Sequence, residues 1–256
     1  MKKRIWILTI LTIAACTNTK NTGEKEEWIQ LFNGENLEGW DIKIAGYDLN
    51  ENYANTFRVE DGLLKVRYDQ YDTFTNQFGH IYYKEIFSRY KLRVEYRFVG
   101  EQAKGGQAWA YKNSGVMYHA QAAESVLKDQ SFPVSLEGQF LGGDAEGERP
   151  TMNLCTPGTN VTIGGAFVTK HCNTSSSKTI RDESWVLAEF VVYSDSIIHH
   201  LVDGDTVFTF TKPVIDGGNL PDGFSLPDGA PLKEGYISLQ SESHPVDFRK
   251  VELLQI

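Results

Sequence analysis

Residues 89–99 read RYKLRVEYRFV, and this stretch decides the fold class because apolar and charged residues alternate in it without interruption. Successive side chains of an extended strand point to opposite faces of a sheet. Between positions 90 and 98 one face is apolar and the other charged: Tyr90, Leu92, Val94, Tyr96 and Phe98 against Lys91, Arg93, Glu95 and Arg97. A sandwich sheet buries one face against its partner sheet. We therefore predict a sandwich strand whose charged residues form ion pairs on a solvated outer face.

The rest of the chain carries the same kind of signal. Further strand patterns occupy residues 56–68, 114–120, 133–141, 185–193, 196–211, 235–241 and 246–256. The pairs Asp61-Gly62 and Asp203-Gly204 are typical of two-residue hairpin turns. Residues 142–160 and 217–231 are rich in turn formers and are predicted to be loops, and no long segment shows a helical period. We expect an all-β sandwich of two antiparallel sheets, with residues 28–256 as one domain.

The N-terminal residues read MKKRIWILTILTIAAC and are typical of a bacterial lipoprotein signal peptide. Three basic residues precede an apolar run over 5–13, which is far shorter than the ~20 residues of a membrane-spanning helix. We expect cleavage after residue 15, lipid attachment at Cys16 and a flexible tether over residues 16–27. The protein would then be exported, to the periplasm or the cell surface, and held on a bacterial membrane through the lipid alone; the outer membrane is the expected one.

The acidic balance of the chain narrows the class of ligand. The formal charge is −9, and removing residues 1–15 takes away three basic and no acidic side chains, which gives −12. Nucleic acids and anionic lipids need clusters of Lys and Arg, so neither is an expected partner. The chain has no P-loop or dinucleotide fingerprint, so we expect no nucleotide cofactor. A neutral saccharide fits this composition better.

Two cysteines remain once Cys16 is assigned to lipid. In an exported protein Cys155 and Cys172 are expected to form a disulfide, which would fix the 142–172 segment at the rim of a cleft. The alternative is a metal site formed by Cys155, His171 and Cys172, although adjacent ligands chelate poorly. The disulfide is the favoured interpretation.

A candidate site follows from residues 131–143, SFPVSLEGQFLGG. Alternation places Val134, Leu136, Gly138 and Phe140 on a core face, and Glu137 with Gln139 on the opposite face. The upstream strand NSGVMYHA brings Asn113, Ser114, Tyr118 and His119, with Trp109 and Tyr111 just before it. Aromatic rings beside amides and acids suit a sugar, which has apolar C–H faces and a hydroxyl rim.

The remaining acids and histidines leave alternatives open. A retaining glycosidase needs two carboxyl groups ~5–5.5 Å apart, but the strand after Glu137 continues with Gln139, so a second acid would have to come from another strand, such as Glu95. The six histidines show no ligand spacing, and His199 and His200 lie in a hairpin that looks structural. His80, His119 and His244 adjoin strands near the polar face and are the better candidates.

Five segments in order resemble the 3-keto-disaccharide hydrolase domain family: WIQLFNGENLEGW (28–40), YKLRVEYRF (90–98), NSGVMYH (113–119), SLEGQFL (135–141) and GYISLQSESHPVDFRKVELL (235–254). The resemblance implies a concanavalin-A-like jelly roll with its site on a concave sheet face. It also implies that the substrates are glycosides whose C3 hydroxyl has been oxidised to a ketone by a partner sugar 3-oxidoreductase. The family often has arginine where this chain has His119, and an aspartate where this chain has a loop containing Asp144.

The ketone explains why one carboxylate could suffice. It acidifies the C2 hydrogen, so that a base can remove this proton, the C1 substituent can leave and water can add. We expect Glu137 as base, with His119 and His80 as further catalytic candidates and one divalent metal allowed at Glu137 and His80. The expected substrate-binding residues are Arg97, Trp109, Asn113, Ser114, Tyr118, Gln139 and His244. The alternative is a non-catalytic, surface-tethered glycan-binding module of the same fold.

Overall fold

The computed structural model describes residues 26–256. The predicted signal peptide, the lipidation site Cys16 and residues 16–25 of the tether lie outside the described residues, so these predictions stay predictions. Within residues 26–256 no helix is long and apolar enough to cross a membrane.

Nearly all of the regular secondary structure in the described chain is β-strand. They are β1 Ile29–Gln30, β2 Trp40–Ile44, β3 Phe57–Glu60, β4 Leu63–Val66, β5 Gly79–Phe87, β6 Arg89–Phe98, β7 Asn113–Ala120, β8 Leu136–Leu141, β9 Asn153–Cys155, β10 Thr159–Ile163, β11 Ala166–Val168, β12 Cys172–Asn173, β13 Val186–Tyr193, β14 Ile197–Val202, β15 Asp205–Ile215, β16 Gly235–Ser241 and β17 Val246–Gln255. Short 3₁₀ helices span Tyr53–Asn55, Ala108–Ala110, Ala123–Ser125 and Gly217–Asn219.

The strands form two antiparallel sheets. The larger sheet has ten strands in the order β11-β10-β15-β14-β13-β6-β17-β4-β3, with β1 also paired to β17. The smaller sheet has seven strands in the order β12-β9-β8-β7-β16-β5-β2. Strands distant in sequence are neighbours in both sheets, as in a jelly roll. The predicted all-β jelly-roll sandwich is confirmed.

The alternation in β6 behaves as predicted. Its apolar residues are almost fully buried between the sheets, where Tyr96 of the larger sheet stacks on Phe140 of the smaller at 3.9 Å between ring centroids. A Cβ atom at Gly138 would overlap the ring of Phe190, so the glycine lets the two sheets approach closely. The core side of β8 is therefore the face predicted from its sequence.

The charged side of β6 lies on the outer face of the larger sheet and is paired across strands. Arg93 contacts Glu189 at 2.9 Å, and Arg249 contacts Glu95 at 2.6 Å. Asp247 of β17 accepts from Arg97 at 3.0 Å and also from Arg67. This cross-strand pairing agrees with the predicted solvated outer face.

Some strands of both sheets differ from the sequence prediction. The predicted loop 142–160 contains β9 and the start of β10, because Asn153–Cys155 pairs with β8 and Thr159–Ile163 pairs with β15. Strand β5 was not predicted, since residues on both of its faces are buried along Gly79–Tyr82 and the apolar alternation is lost.

The predicted disulfide between Cys155 and Cys172 is present. It joins the paired strands β9 and β12 at one edge of the smaller sheet. The chain between the two cysteines leaves this sheet, and its β10–β11 hairpin joins the larger one. The disulfide therefore closes a loop that spans both sheets.

Candidate functional site

A cavity of about 200 Å³ lies on the face of the smaller sheet that points away from the core. Two carboxylates, two amides and two aromatic rings line it, together with a proline, a histidine and one disulfide cysteine: Glu137, Glu242, Asn113, Gln139, Trp109, Phe132, Pro157, His171 and Cys172. Glu137, Asn113, Gln139 and Trp109 were predicted from the sequence as catalytic or substrate-binding residues. The combination of acids, amides and aromatic rings is the one expected for a saccharide.

Strand register gathers the polar groups. Met117 of β7 lies opposite Glu137, and Gly115 lies opposite Gln139, so these positions share one face. A Cβ atom at Gly115 would lie 3.1 Å from Glu137 Oε1 and 3.2 Å from Gln240 Oε1. The absence of a side chain at Gly115 therefore leaves room between β8 and β16.

Glu137 is the most central acid. Glu137 is only 5% exposed, and burial raises the pKa of its carboxyl above the ordinary value. A buried acid without a compensating cation resists ionisation. Once ionised, such a carboxylate is a stronger base than an ordinary glutamate, which suits proton abstraction from carbon.

Glu242 is a second buried carboxyl that the sequence prediction missed. Gln240 Nε2 donates to Glu242 Oε1 at 2.8 Å, whereas Oε2 is buried without a hydrogen-bond partner in the described chain. Burial, and next the charge of Glu137, raise the pKa of Glu242, while Arg149 opposes this rise. A signal was available, because Gln240 and Glu242 stand two residues apart just as Glu137 and Gln139 do.

His80 lies on the same face, one strand beyond Gln240, which is its register partner. Its Nε2 atom is buried and has no hydrogen-bond partner within residues 26–256. Burial lowers the pKa of His80 to about 3, so the ring is neutral at physiological pH. The predicted candidate thus adjoins the cavity, where a neutral imidazole can accept or donate a hydrogen bond but supplies no positive charge.

An aromatic platform forms one wall. Trp109 is 50% exposed and stacks on Phe78 with ring centroids 5.6 Å apart, and Phe78 packs against Phe132 at 5.1 Å. Arg149, which the sequence prediction also missed, donates to the carbonyl oxygens of Trp109 and Gly142, each at 2.7 Å. Arg149 therefore ties the tryptophan segment to the end of β8.

Two predicted binding residues of β7 face the core instead. Ser114 Oγ donates to the carbonyl of Gln240 at 2.8 Å, and the Tyr118 hydroxyl pairs with His200 Nε2 at 2.7 Å. Both residues alternate with Asn113, which lines the cavity. Their expected position beside Glu137 is corrected accordingly.

Three other candidates, and also Asp144, lie away from the cavity lining. Arg97 is on the outer face of the larger sheet, because it alternates with core residues of β6. His119 has a φ of +47°, which breaks the alternation of β7, and its Nδ1 lies 3.3 Å from the carbonyl oxygen of Leu232. His244 is buried, and its ring centroid lies 5.1 Å from that of Tyr111. Asp144 lies in an exposed loop.

A metal site needs several ligand atoms close together. In the described residues, three side chains have His, Cys, Asp or Glu ligand atoms within 4.8 Å of one another: Cys155, His171 and Cys172. The sulfur atoms of the two cysteines form the disulfide. Glu137 and His80 belong to no such group within residues 26–256. The predicted divalent ion therefore finds no three-residue ligand set there.

Solved structures share this fold at low sequence identity. Two candidate glycosyl hydrolases from Parabacteroides distasonis match with TM-scores of 0.52 and 0.53 at 18% and 17% identity; each covers 90% of this chain, and 100% and 95% of theirs. A protein with a galectin-like fold from Bacillus subtilis matches with a TM-score of 0.54 at 11% identity, over 86% of this chain and 90% of its own. Among curated proteins the chain has no significant match.

The family assignment rests on the sequence rather than on these superpositions. The motifs that resemble the family run from residue 28 to residue 254. The 3-keto-α-glucoside-1,2-lyase-like domain matches residues 27–254, and the chain therefore belongs to this family, as the motifs predicted.

Proposed function

We propose that the protein cleaves the glycosidic bond of 3-keto-glycosides or 3-keto-disaccharides. The observation that carries this proposal is the position of Glu137, a buried carboxyl in a cavity that also offers amides and an exposed tryptophan. Membership in a family named for 3-keto-α-glucoside lyase chemistry supports the same substrate class.

The reaction would begin at C2 of the sugar. A C3 ketone acidifies the C2 hydrogen, and Glu137 removes this proton to give an enolate. The enolate expels the substituent at C1, which leaves an enone, and water then adds to C1. Each step moves a proton or an electron pair along the C1–C2–C3 unit, so no covalent sugar–enzyme bond is needed.

The other cavity residues would bind the sugar. The amides of Gln139 and Asn113 can hold ring hydroxyls, and Asn113 Oδ1 is buried without a partner in the described chain. The exposed face of Trp109 can pack against the C–H face of a pyranose. These contacts would orient the C2 hydrogen toward Glu137.

A divalent ion, if bound, would polarise the C3 ketone. Within residues 26–256 Glu137 and His80 belong to no three-residue ligand set, so the steps above are assigned to the side chains of the protein. The ketone itself must be made by an oxidoreductase that oxidises the C3 hydroxyl of a glycoside. The proposed functional partner is therefore an enzyme of that class.

The second candidate function is a non-catalytic glycan-binding module. The exposed Trp109 beside two amides would serve binding alone equally well. Release of 4-nitrophenol from 4-nitrophenyl 3-keto-glucoside by the purified protein decides between the two. We expect release from the keto substrate and none from the parent glucoside. Binding of the keto substrate without release, with and without added divalent ions, would refute the enzymatic proposal and leave the binding module.

A further inference from the structure

We propose that Glu242 is the acid of this reaction and protonates the leaving oxygen at C1 while Glu137 removes the proton from C2. This inference rests on the proposed function and adds a residue to its site. Glu137 comes from β8, Glu242 directly follows β16, and both line the same cavity. Strand β7 lies between β8 and β16. Where it passes between Glu137 and Gln240 its residue is Gly115, which has no side chain.

The surroundings of the two acids favour one shared proton. Arg149, from the loop after β8, is the cation that acts on Glu242, but its guanidinium donates to four carbonyls, those of Trp109, Tyr111, Lys112 and Gly142. His80, on β5, is neutral at physiological pH. Two carboxylates that share a buried site cannot both ionise cheaply, as in the dyad of aspartic proteases.

The proton is expected on Glu242 rather than on Glu137. Glu242 Oε1 already accepts a hydrogen bond from Gln240, which leaves the buried Oε2 for the proton. The pKa of Glu242 is raised by burial and also by the charge of Glu137, so that ionising Glu137 first makes Glu242 hold its proton more firmly.

The proton balance closes over one turnover. In the elimination, Glu137 takes the proton from C2 as the C1–O bond breaks, and the leaving oxygen takes the proton of Glu242. The pair is then reversed, with Glu137 protonated and Glu242 ionised. In the hydration, Glu242 takes a proton from the water that adds to C1, and Glu137 returns a proton to C2. The products are a 3-keto sugar and an alcohol, and both acids regain their first state.

The test compares Glu242→Gln on two 3-keto-glucosides that differ in their leaving group. 4-Nitrophenol leaves as a stable anion, whereas the alcohol of a second sugar needs a proton. We expect kcat to fall by ~10²–10⁴-fold on the disaccharide, the usual cost of losing a general acid. On the nitrophenyl substrate we expect a loss of less than about 10-fold, because little acid assistance is needed. An equal loss on both substrates, or no loss on either, would overturn the proposal.

A measurement without turnover guards against a merely structural effect. Infrared spectra of protein freed of divalent ions with EDTA, at pH 9, above the pKa of about 8 to which burial raises Glu137, should show a protonated carboxyl that disappears in Glu242→Gln. It should persist in the control Glu252→Gln, since Glu252 lies on the outer face of the larger sheet 3.6 Å from Arg93. The absence of this signal in the parent protein would also overturn the proposal. A parent inactive on both substrates would instead refute the proposed function itself.

Discussion

The two sheets present acids on their outward faces in opposite ways. On the larger sheet Asp247 is buried, with its side chain 2% exposed, and it is held by the guanidinium groups of Arg67 and Arg97. On the smaller sheet Glu137 and Glu242 are equally buried, and no ion pair holds either of them in residues 26–256. Both arrangements arise from strand alternation.

The difference teaches that the charged partner, rather than the burial, distinguishes an acid of a structural network from the acids proposed to be reactive. Two arginines donate hydrogen bonds to the Asp247 carboxylate and make it part of a cross-strand network. The acids of the smaller sheet line the same cavity without such partners, and the charge of Glu137 raises the pKa of Glu242. The following predictions test this contrast, beginning with the largest expected effect.

Removing the base of the smaller sheet should abolish most turnover. Glu137→Gln keeps the shape of the side chain and removes its basicity, so we expect kcat on a 3-keto-glucoside to fall by ~10²–10⁴-fold. The melting temperature at pH 7 should stay equal or rise, because a raised pKa means that the folded state loses stability as pH rises above the ordinary glutamate value. A folded variant with nearly parental kcat would refute the role of Glu137.

Acid should weaken the smaller sheet through His80. Burial lowers its pKa to about 3, so between the ordinary value of about 6.5 and that pKa only the unfolded chain binds the proton. The free energy of unfolding should therefore fall as pH falls through this window, by about 2–3 kcal/mol for this residue between pH 6.5 and 4.5.

Urea unfolding at several pH values measures the effect of acid. We expect a shallower pH dependence in His80→Gln. The control His199→Gln should keep the parental dependence, since His199 is partly exposed and pairs with Thr209. Identical pH dependence in His80→Gln and the parent would show that folding does not lower the pKa of His80.

Removing the acid of the larger sheet should cost stability and leave catalysis intact. Asp247→Asn leaves Arg67 and Arg97 without their anion, and we expect a loss of about 1–2 kcal/mol in unfolding free energy. This lies below the value for a fully buried pair because both arginine side chains reach solvent. Unfolding curves and kcat measured on the same sample check both statements. A large fall in kcat at unchanged stability would contradict the contrast between the sheets.

The smallest expected effect is the change in KM when Trp109 of the cavity is replaced. Trp109→Ala should raise KM by ~2–10-fold, since an aromatic contact is worth about 0.5–1.5 kcal/mol. Trp185 lies against Arg97 and Arg249 on the larger sheet, at 4.6 and 4.5 Å from the ring, so Trp185→Ala is the matched control and should leave KM unchanged. Equal KM values for both variants would show that Trp109 is not a sugar platform.

Much of the fold could be predicted from local patterns. The alternation of β6 gave its buried and charged faces correctly, and Asp61 and Gly62, with φ values of +55° and +74°, form the predicted hairpin turn. The alternation also favoured the outer face for Arg97, and only the family motif placed this residue in the site, where the structure does not have it. Local patterns could not reveal β5, because residues of both its faces are buried along its first half.

The site was only partly predictable for a related reason. Glu137 and Gln139 were identified because they interrupt an apolar strand. Glu242 was missed because its closeness to Glu137 depends on β16 and β8 flanking the same strand, which links residues about a hundred positions apart in sequence. Ser114 and Tyr118 were misplaced because the whole NSGVMYHA strand was treated as polar, although only every second residue faces the cavity.

Gly115 makes the site sensitive to a single small substitution. One added methyl group there would stand 3.1 Å from Glu137 Oε1 and 3.2 Å from Gln240 Oε1, closer than side chains normally approach. Such a change adds no charge and removes no functional group, and it would scarcely register in a comparison of residue chemistry. In a homologue that carries alanine at this position, the ends of the Glu137 and Gln240 side chains would have to move by a few tenths of an ångström. The residue at position 115 is thus a feature, separate from the acids and amides themselves, that sets where those side chains lie.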